Sequence, residues 1–321
     1  MMIRSILVSV LMMLSVHALA AEPAQADRTT GQKAVLVTGA SSGIGRMVAE
    51  TLAAEGFFVY GGARKAEDIA ALSAIDNIEG IRLDVTSQPE IDAAVALISE
   101  RGRGLYGLVN NAGVAVVVPL VEATDADLQF QMDANLFGPW RVTRAFAPMI
   151  IESRGRITTT GSISGSGTGL FFGPYSMSKF AMEAFTDALA AEMERFGVAV
   201  SIVDPGNYRS DIVKSLRARR EALGQTVDGS RYAEDFARFL SAPEDRSNFE
   251  EPTAVAEAFL HALTSEQPKR RYLVVPNASS ADWTLKHLLS RAVQLNQDQP
   301  YSRDREGLIQ LLDEVLEEPI N

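Results

Sequence analysis

The chain has 321 residues, enough for one large α/β domain or two small ones, and its 46% hydrophobic and 22% charged residues suit a folded chain rather than a disordered one. Thirty Lys and Arg stand against 41 Asp and Glu, a net charge of −11, and so acidic a chain repels nucleic acid and anionic membrane alike. The absence of cysteine excludes disulfides, thiolate metal sites and a cysteine nucleophile.

In chain order, the first feature is Arg4 ahead of an apolar run from Ser5 to Val16, followed by Ala18-Leu19-Ala20. A charged start, a short apolar stretch and an Ala-x-Ala exit form the secretory signal-peptide pattern, and the run is shorter than the ~20 residues a membrane span needs. Residues 1–20 are therefore expected to be a signal peptide, with an uncleaved N-terminal anchor as the alternative, and 21–32 a polar linker. The expected location is periplasmic or secreted; cytoplasmic and membrane-anchored locations are the alternatives.

From Lys33 onward, short apolar runs alternate with segments of helical period. The runs Ala34–Thr38, Phe57–Tyr60, Ile78–Leu83, Leu105–Val109, Arg156–Thr160, Val198–Val203 and Tyr272–Val275 read as strands. Most are near-continuously apolar, as strands covered on both faces are. Helices are expected at Arg46–Glu55, Glu90–Ser99, Asp125–Phe137 and Ser178–Arg195, each long enough for a crossover between parallel strands. The pattern predicts an α/β fold: a three-layer, Rossmann-type, doubly wound parallel sheet of about seven strands over residues 33–276. Residues 207–250 are charged and weakly periodic, and read as a helical insertion serving as a substrate lid. Residues 277–321 read as a C-terminal extension.

Between the first strand and the first helix lies Thr38-Gly39-Ala40-Ser41-Ser42-Gly43-Ile44-Gly45. Glycines there let backbone N–H groups approach a pyrophosphate, whose charge a helix N-terminus favours. The second strand runs into Gly61-Gly62-Ala63-Arg64-Lys65, with no acid before Glu67. An acid at that point would bind the ribose hydroxyls of NAD(H), whereas Arg64 offers a fork for a 2′-phosphate, so NADP(H) is expected over NAD(H). Asp84, before Val85, could accept from the adenine amino group or cap a helix.

Gly173-Pro174-Tyr175-Ser176-Met177-Ser178-Lys179 opens a helix on which Tyr175 and Lys179 share one face. A phenol is a poor base at neutral pH unless a neighbouring ammonium favours phenolate. Ser162 lies just past the strand Arg156–Thr160, Asn110-Asn111-Ala112-Gly113 follows the strand Leu105–Val109, and Asn135 sits in the helix after it. Apart from Asn135, these fall at C-terminal strand ends or the helix starts beyond them, where open α/β sheets bind ligands.

In this combination of motifs the sequence resembles the tyrosine-dependent short-chain dehydrogenase/reductase family, over roughly Lys33 to Pro276. The stretches Phe58–Arg64 and Gly173–Phe180 look most like its hydroxysteroid and retinoid branch. The resemblance implies a catalytic tetrad of Asn135, Ser162, Tyr175 and Lys179. It further implies that Thr38, Gly39, Ser41, Ser42, Gly43, Ile44, Gly45, Arg64, Asp84, Val85, Asn111, Ala112, Gly113, Tyr175 and Lys179 meet the cofactor. Pro205-Gly206-Asn207-Tyr208-Arg209-Ser210 resembles the family's Pro-Gly-x-x-x-Thr segment at the nicotinamide carboxamide, which adds Pro205, Gly206 and Ser210, the last in place of Thr.

Tyr175 would then move the proton at the substrate oxygen, Ser162 polarise it, Lys179 assist Tyr175 and hold the nicotinamide ribose, and Asn135 position a relay water. Ser162, Phe171, Phe172 and Tyr208 are expected to touch the substrate, a hydrophobic alcohol, ketone or aldehyde. No metal is expected, since His17, His261 and His287 lie outside the motifs. The family implies a homodimer or homotetramer paired through helices spanning 125–149 and 178–195. A binding-only nucleotide sensor on the same fold is the alternative, and it would have no use for the complete tetrad.

Overall fold

The computed structural model describes residues 31–241 and 248–318, so the signal-peptide and anchor readings of residues 1–20 lie outside the described residues. The first strand, β1 (Ala34–Val37), is followed by α1 (Gly43–Ala54), β2 (Phe58–Ala63), α2 (Ala66–Ser73), β3 (Ile78–Arg82), α3 (Gln88–Glu100) and β4 (Gly107–Asn110). Next come α4 (Asp125–Met132), α5 (Gly138–Ser153), β5 (Arg156–Thr160), α6 (Gly173–Met193) and β6 (Ala199–Pro205). The strands pair in parallel in the order β3-β2-β1-β4-β5-β6-β7, with β7 at Arg271–Val274. This is the seven-stranded doubly wound sheet that the alternation of apolar runs and helices predicts.

Side-chain alternation builds the two cores. Val35 and Val37 point to one face, where α1 and α9 (Thr253–Thr264) bring Val48, Leu52, Val255 and Phe259. Leu36 points to the other, with Leu108 and Ile157 beneath Ile91 and Ile98 of α3 and Val142, Phe146 and Ile150 of α5. The chain order reverses between β1, which pairs β2 on one side, and β4 on the other. That switch point opens a crevice at the C-terminal strand ends.

Several elements differ from expectation for reasons the structure shows. The second strand extends to Ala63 because pairing with β3 (Gly61↔Gly80, Ala63↔Arg82) carries it past Tyr60. The helix expected over Asp125–Phe137 starts at a capping box between Thr124 and Asp127 and is α-helical only to Met132; residues Asp133–Phe137 form a π-helical turn. The helix carrying Tyr175 begins at Gly173, with Pro174 in the first turn where its missing N–H costs nothing.

The insertion folds as α7 (Ile212–Ala222) and α8 (Ala233–Leu240). Leu216 and Phe236 bury against Val117 and Phe171, and Arg219 donates to the buried Asp127 carboxylate at 2.9 Å. The C-terminal extension forms α10 (Ala278–Asn296), capped by Asn277, and α11 (Arg305–Glu317), capped by Asp304.

Burial alone would raise the Asp127 carboxyl, but hydrogen bonds from Thr124 and Arg219 outweigh it and hold the group below its ordinary value. With the folded value below the unfolded ~3.9, this stabilisation is complete above that pH and is lost as pH falls through the folded value. Arg219→Met removes both the charge and the guanidinium that lies 4.4 Å from the centre of the Phe130 ring. It is expected to cost roughly 2 kcal/mol in urea unfolding at neutral pH, with the difference from wild type shrinking in acid.

Candidate active site

One cleft of about 1590 Å³ runs along the C-terminal strand ends, larger than the ~300–1,000 Å³ usual for a single small ligand. Its first wall is the glycine turn after β1. Gly39 has φ +65°, and a Cβ there would stand 2.8 Å from the Ala112 Cα; a Cβ on Gly45 would stand 2.2 Å from the Gly39 carbonyl oxygen. The turn therefore closes only with glycine at both places. Ser42 precedes α1 in extended conformation without capping it by its side chain, which leaves the first N–H groups of that helix open toward the cleft.

The turn is lashed to its neighbours by two side chains. Thr38 Oγ donates to the Val109 carbonyl (3.3 Å) and accepts from the N–H groups of Asn111 (2.9 Å) and Ala112 (3.0 Å). Asn111 Nδ2 donates to the carbonyls of Thr38 and Gly39, and its Oδ1 accepts from Thr160 Oγ at 3.1 Å. Three strand ends, β1, β4 and β5, are held in register by this pair.

At the end of β2, Arg64 lines the cleft with a largely exposed guanidinium 3.9 Å from Asp84 Oδ2. Asp84 Oδ1 accepts from the N–H (2.9 Å) and Oγ (2.7 Å) of Thr86, closing the local turn, while its own N–H goes to Glu90. Ser87, not Asp84, caps α3.

Asn135, Ser162, Tyr175 and Lys179 line the cleft together. Ser162 Oγ accepts from the Ser164 N–H at 3.1 Å, so its own O–H remains to donate into the cleft. Lys179 Nζ donates to the Thr160 carbonyl (2.7 Å) and lies 5.7 Å from the centre of the Tyr175 ring. Burial pushes the Lys179 ammonium down to about 8, against the upward pull of Asp204 and Glu183.

Asn135 sits in the π-helical turn, a distortion found often at functional sites. Its Oδ1 accepts from the Val114 N–H (2.8 Å), and Nδ2 donates to the Val114 carbonyl (3.0 Å) and to Ser178 Oγ (3.1 Å). The side chain thus ties the loop after Gly113 to α6.

Two expected contacts are corrected. Thr38 does not line the cleft: its hydroxyl is buried in the strand-end lashing. Phe171, expected at the substrate, is instead 5% exposed and packs on Phe236 at 4.9 Å beneath the insertion. It adopts φ +70°, a strained turn that sends Phe171 inward and leaves Phe172 at the cleft. The other expected cofactor residues, from Gly39 to Ser210, and Tyr208 all line it.

Some residues escape a reading of the sequence. Gln131 donates to the Val114 carbonyl and Ser178 Oγ and accepts from the Val116 N–H, joining α4, the loop and α6. Ser178 carries a faint signal, lying beside Lys179 in the helix motif. Trp283, Ser279 and Ser280 reach the cleft from the C-terminal extension, where nothing in the sequence marks them. Trp283 and His287 pack within 2.8 Å of where a Cβ on Gly167 would stand, against the loop before Tyr175.

The sequence profile of the short-chain dehydrogenase family matches residues 33–221. A 3-amino-tetrahydro-pyrrolizinone reductase from Xenorhabdus hominickii is 36% identical over 256 residues, 78% of this chain and 89% of the relative. Retinol dehydrogenase 16 of Homo sapiens is 31% identical, over 80% and 82% respectively. A crystal structure of a variant actinorhodin polyketide ketoreductase with NADPH superposes with TM-score 0.64 at 29% identity, covering 78% of this chain and 98% of that one. The chain belongs to the short-chain dehydrogenase family and is an oxidoreductase.

Gly45→Ala is expected to abolish dinucleotide binding, measured by quenching of protein fluorescence on NADPH titration, while far-ultraviolet circular dichroism stays that of the wild type. Binding within about twofold of wild type would contradict the close approach described for this turn.

Proposed function

We propose that this oxidoreductase moves a hydride between NADP(H) and the carbonyl or carbinol carbon of a hydrophobic substrate, with Tyr175 handling the proton. The observation that carries this reading is the convergence of Ser162, Tyr175 and Lys179 on one end of a cleft whose other end is the glycine turn.

The residues present fit a dinucleotide. Gly39 and Gly45 let the backbone of the turn close tightly, and the uncapped first turn of α1 offers N–H donors to a pyrophosphate. Arg64 supports a 2′-phosphate: its exposed pairing with Asp84 is too weak to immobilise it, and no acid stands at the end of β2. When bound, the nicotinamide supplies or accepts the hydride.

The chain's own groups do the rest. Ser162, held as an acceptor by the Ser164 N–H, donates its O–H to the substrate oxygen and stabilises the charge that develops there. Tyr175 transfers a proton to or from that oxygen. The Lys179 ammonium, fixed on the Thr160 carbonyl and 5.7 Å from the Tyr175 ring, stabilises negative charge on the phenolic oxygen. Asn135 braces Val114 and α6, and in this reading it would position a relay water beside Lys179. Phe172, Val117, Ile212, Leu216, Phe239 and Trp283 give the substrate end an apolar wall, consistent with a hydrophobic alcohol, ketone or aldehyde.

This reading includes a homodimer or homotetramer paired through α4, α5 and α6, on which Phe130, Trp140 and Met177 are exposed. It also includes export directed by residues 1–20, for which a recovered chain beginning at Ala21 is the expected observation.

Tyr175→Phe is expected to reduce turnover of a ketone and aldehyde panel, followed by NADPH absorbance, to below about 1% of wild type while NADPH binding persists. Substantial residual reduction would overturn the assigned role. Arg64→Ser is expected to raise the KM for NADPH about tenfold or more and to leave that for NADH nearly unchanged. Equal losses with both cofactors would remove Arg64 from the phosphate site.

A further inference from the structure

Behind Ser162 and Lys179 lies a pair of carboxyl groups that the reaction as described does not use. Asp204, next to last in β6, is 7% exposed, and its Oδ1 accepts the Ser162 N–H at 2.9 Å. Gly161 clears the space: a Cβ there would stand 1.9 Å from that oxygen. Glu183 lies one turn beyond Lys179 on α6. Its Oε2 accepts from Arg271 Nε of β7 at 2.9 Å, whereas its Oε1 is buried without a donor. The Asp204 and Glu183 carboxyl groups are neighbours close enough to share a hydrogen bond.

The charged surroundings are few. Lys179 and Glu183 come from α6, and Arg271 from β7 also donates to Asp187 at 2.8 Å. Arg270 lies 4.0 Å from Asp187 on the outer side. Asp204 is buried and Glu183 half-buried, and two neighbouring carboxylates so placed resist being ionised together, because each raises the cost of charge on the other. Burial, and then Glu183, hold Asp204 well above the usual carboxylate range.

We propose that Asp204 and Glu183 share one proton and act as a positioning pair, with the Asp204 O–H donating to Glu183 Oε1 and Asp204 Oδ1 holding the Ser162 main chain at the reacting centre. Arg271 anchors the far end, so a chain of contacts runs from the edge strand to the catalytic serine. With one proton shared, the pair carries one negative charge beside Lys179 rather than two. The positioning role rests on the reading of Ser162, Tyr175 and Lys179 given above; the shared proton does not.

Asp204→Asn and Asp204→Ala separate the functions. Asn can still donate to Glu183 and accept from Ser162, and it leaves the pair's charge unchanged. Ala leaves the Ser162 N–H without its partner. For D204A, kcat for ketone reduction is expected to fall about tenfold or more with the KM for NADPH unaltered, and for D204N only about two- to threefold. Equal losses in kcat for the two variants would overturn the proposal.

The pH profile gives a second readout. Reduction needs the Lys179 ammonium, so kcat is expected to fall as pH rises through about 8. That limb stays in place in D204N if Asp204 is already neutral. A limb displaced to lower pH would mean that D204N removes a negative charge, and would overturn the shared proton.

Infrared spectroscopy of the whole protein in D2O tests the proton without any turnover. The difference between wild type and D204N should contain the band of a neutral carboxylic acid, and its absence would refute the pair. Activity surviving in the Tyr175→Phe variant would refute the reaction scheme instead, and leave that band untouched.

Discussion

Burying a primary ammonium at the C-terminal edge of a parallel sheet is costly, and the site around Lys179 is organised to hold it there. Desolvation pushes the group down to about 8, while Asp204 and Glu183 pull it back up and the Thr160 carbonyl accepts one of its protons. The remaining arrangement follows from that placement. The strand β5 must end where its last carbonyl faces α6, and α6 must begin early enough to put Tyr175 one turn ahead of the ammonium. The loop from Gly161 to Ser164 must wrap the Asp204 carboxyl tightly, which its first residue permits.

The opposite end of the cleft is built from backbone rather than from charge. Thr38 and Asn111 satisfy the polar groups of three strand ends, and unpaired main-chain groups at such a depth would each cost about 1–3 kcal/mol. With those ends fixed, the glycine turn can bring its N–H groups close together without a side chain between them. Another wall of the cleft is assembled from α7, α8 and α10, which bring Leu216, Phe239 and Trp283 to it by side-chain packing rather than strand pairing. In the proposed reading, substrate specificity would reside in these segments, which the sheet constrains least.

Much of this was legible in the sequence, because local pattern and local chemistry agree. The apolar runs fall on all seven strands, and Gly39, Gly43, Gly45, Tyr175 and Lys179 declare themselves by spacing within a single turn or helix. What was not legible depends on contacts distant in the chain. Thr38 resembles a cofactor ligand until Val109 and Ala112 are seen to occupy its hydroxyl. Neighbouring Phe171 and Phe172 are indistinguishable by type, and only a positive φ sends one into the core. Gln131 and Trp283 belong to no motif, and the acid pair of Asp204 and Glu183 lies 21 residues apart in sequence on different elements.

In the proposed reaction a hydride passes directly between a bound nicotinamide and the substrate carbon while Tyr175 supplies the proton. Reduction of a prochiral ketone with NADPH deuterated at C4 on the transferable face measures this most directly, with the product examined by mass spectrometry and NMR. One deuterium is expected on the new carbinol carbon when the reaction runs in ordinary water, and none on that carbon when unlabelled NADPH is used in D2O. Deuterium arriving at that carbon from the solvent, or missing from it when the cofactor is labelled, would rule out direct hydride transfer.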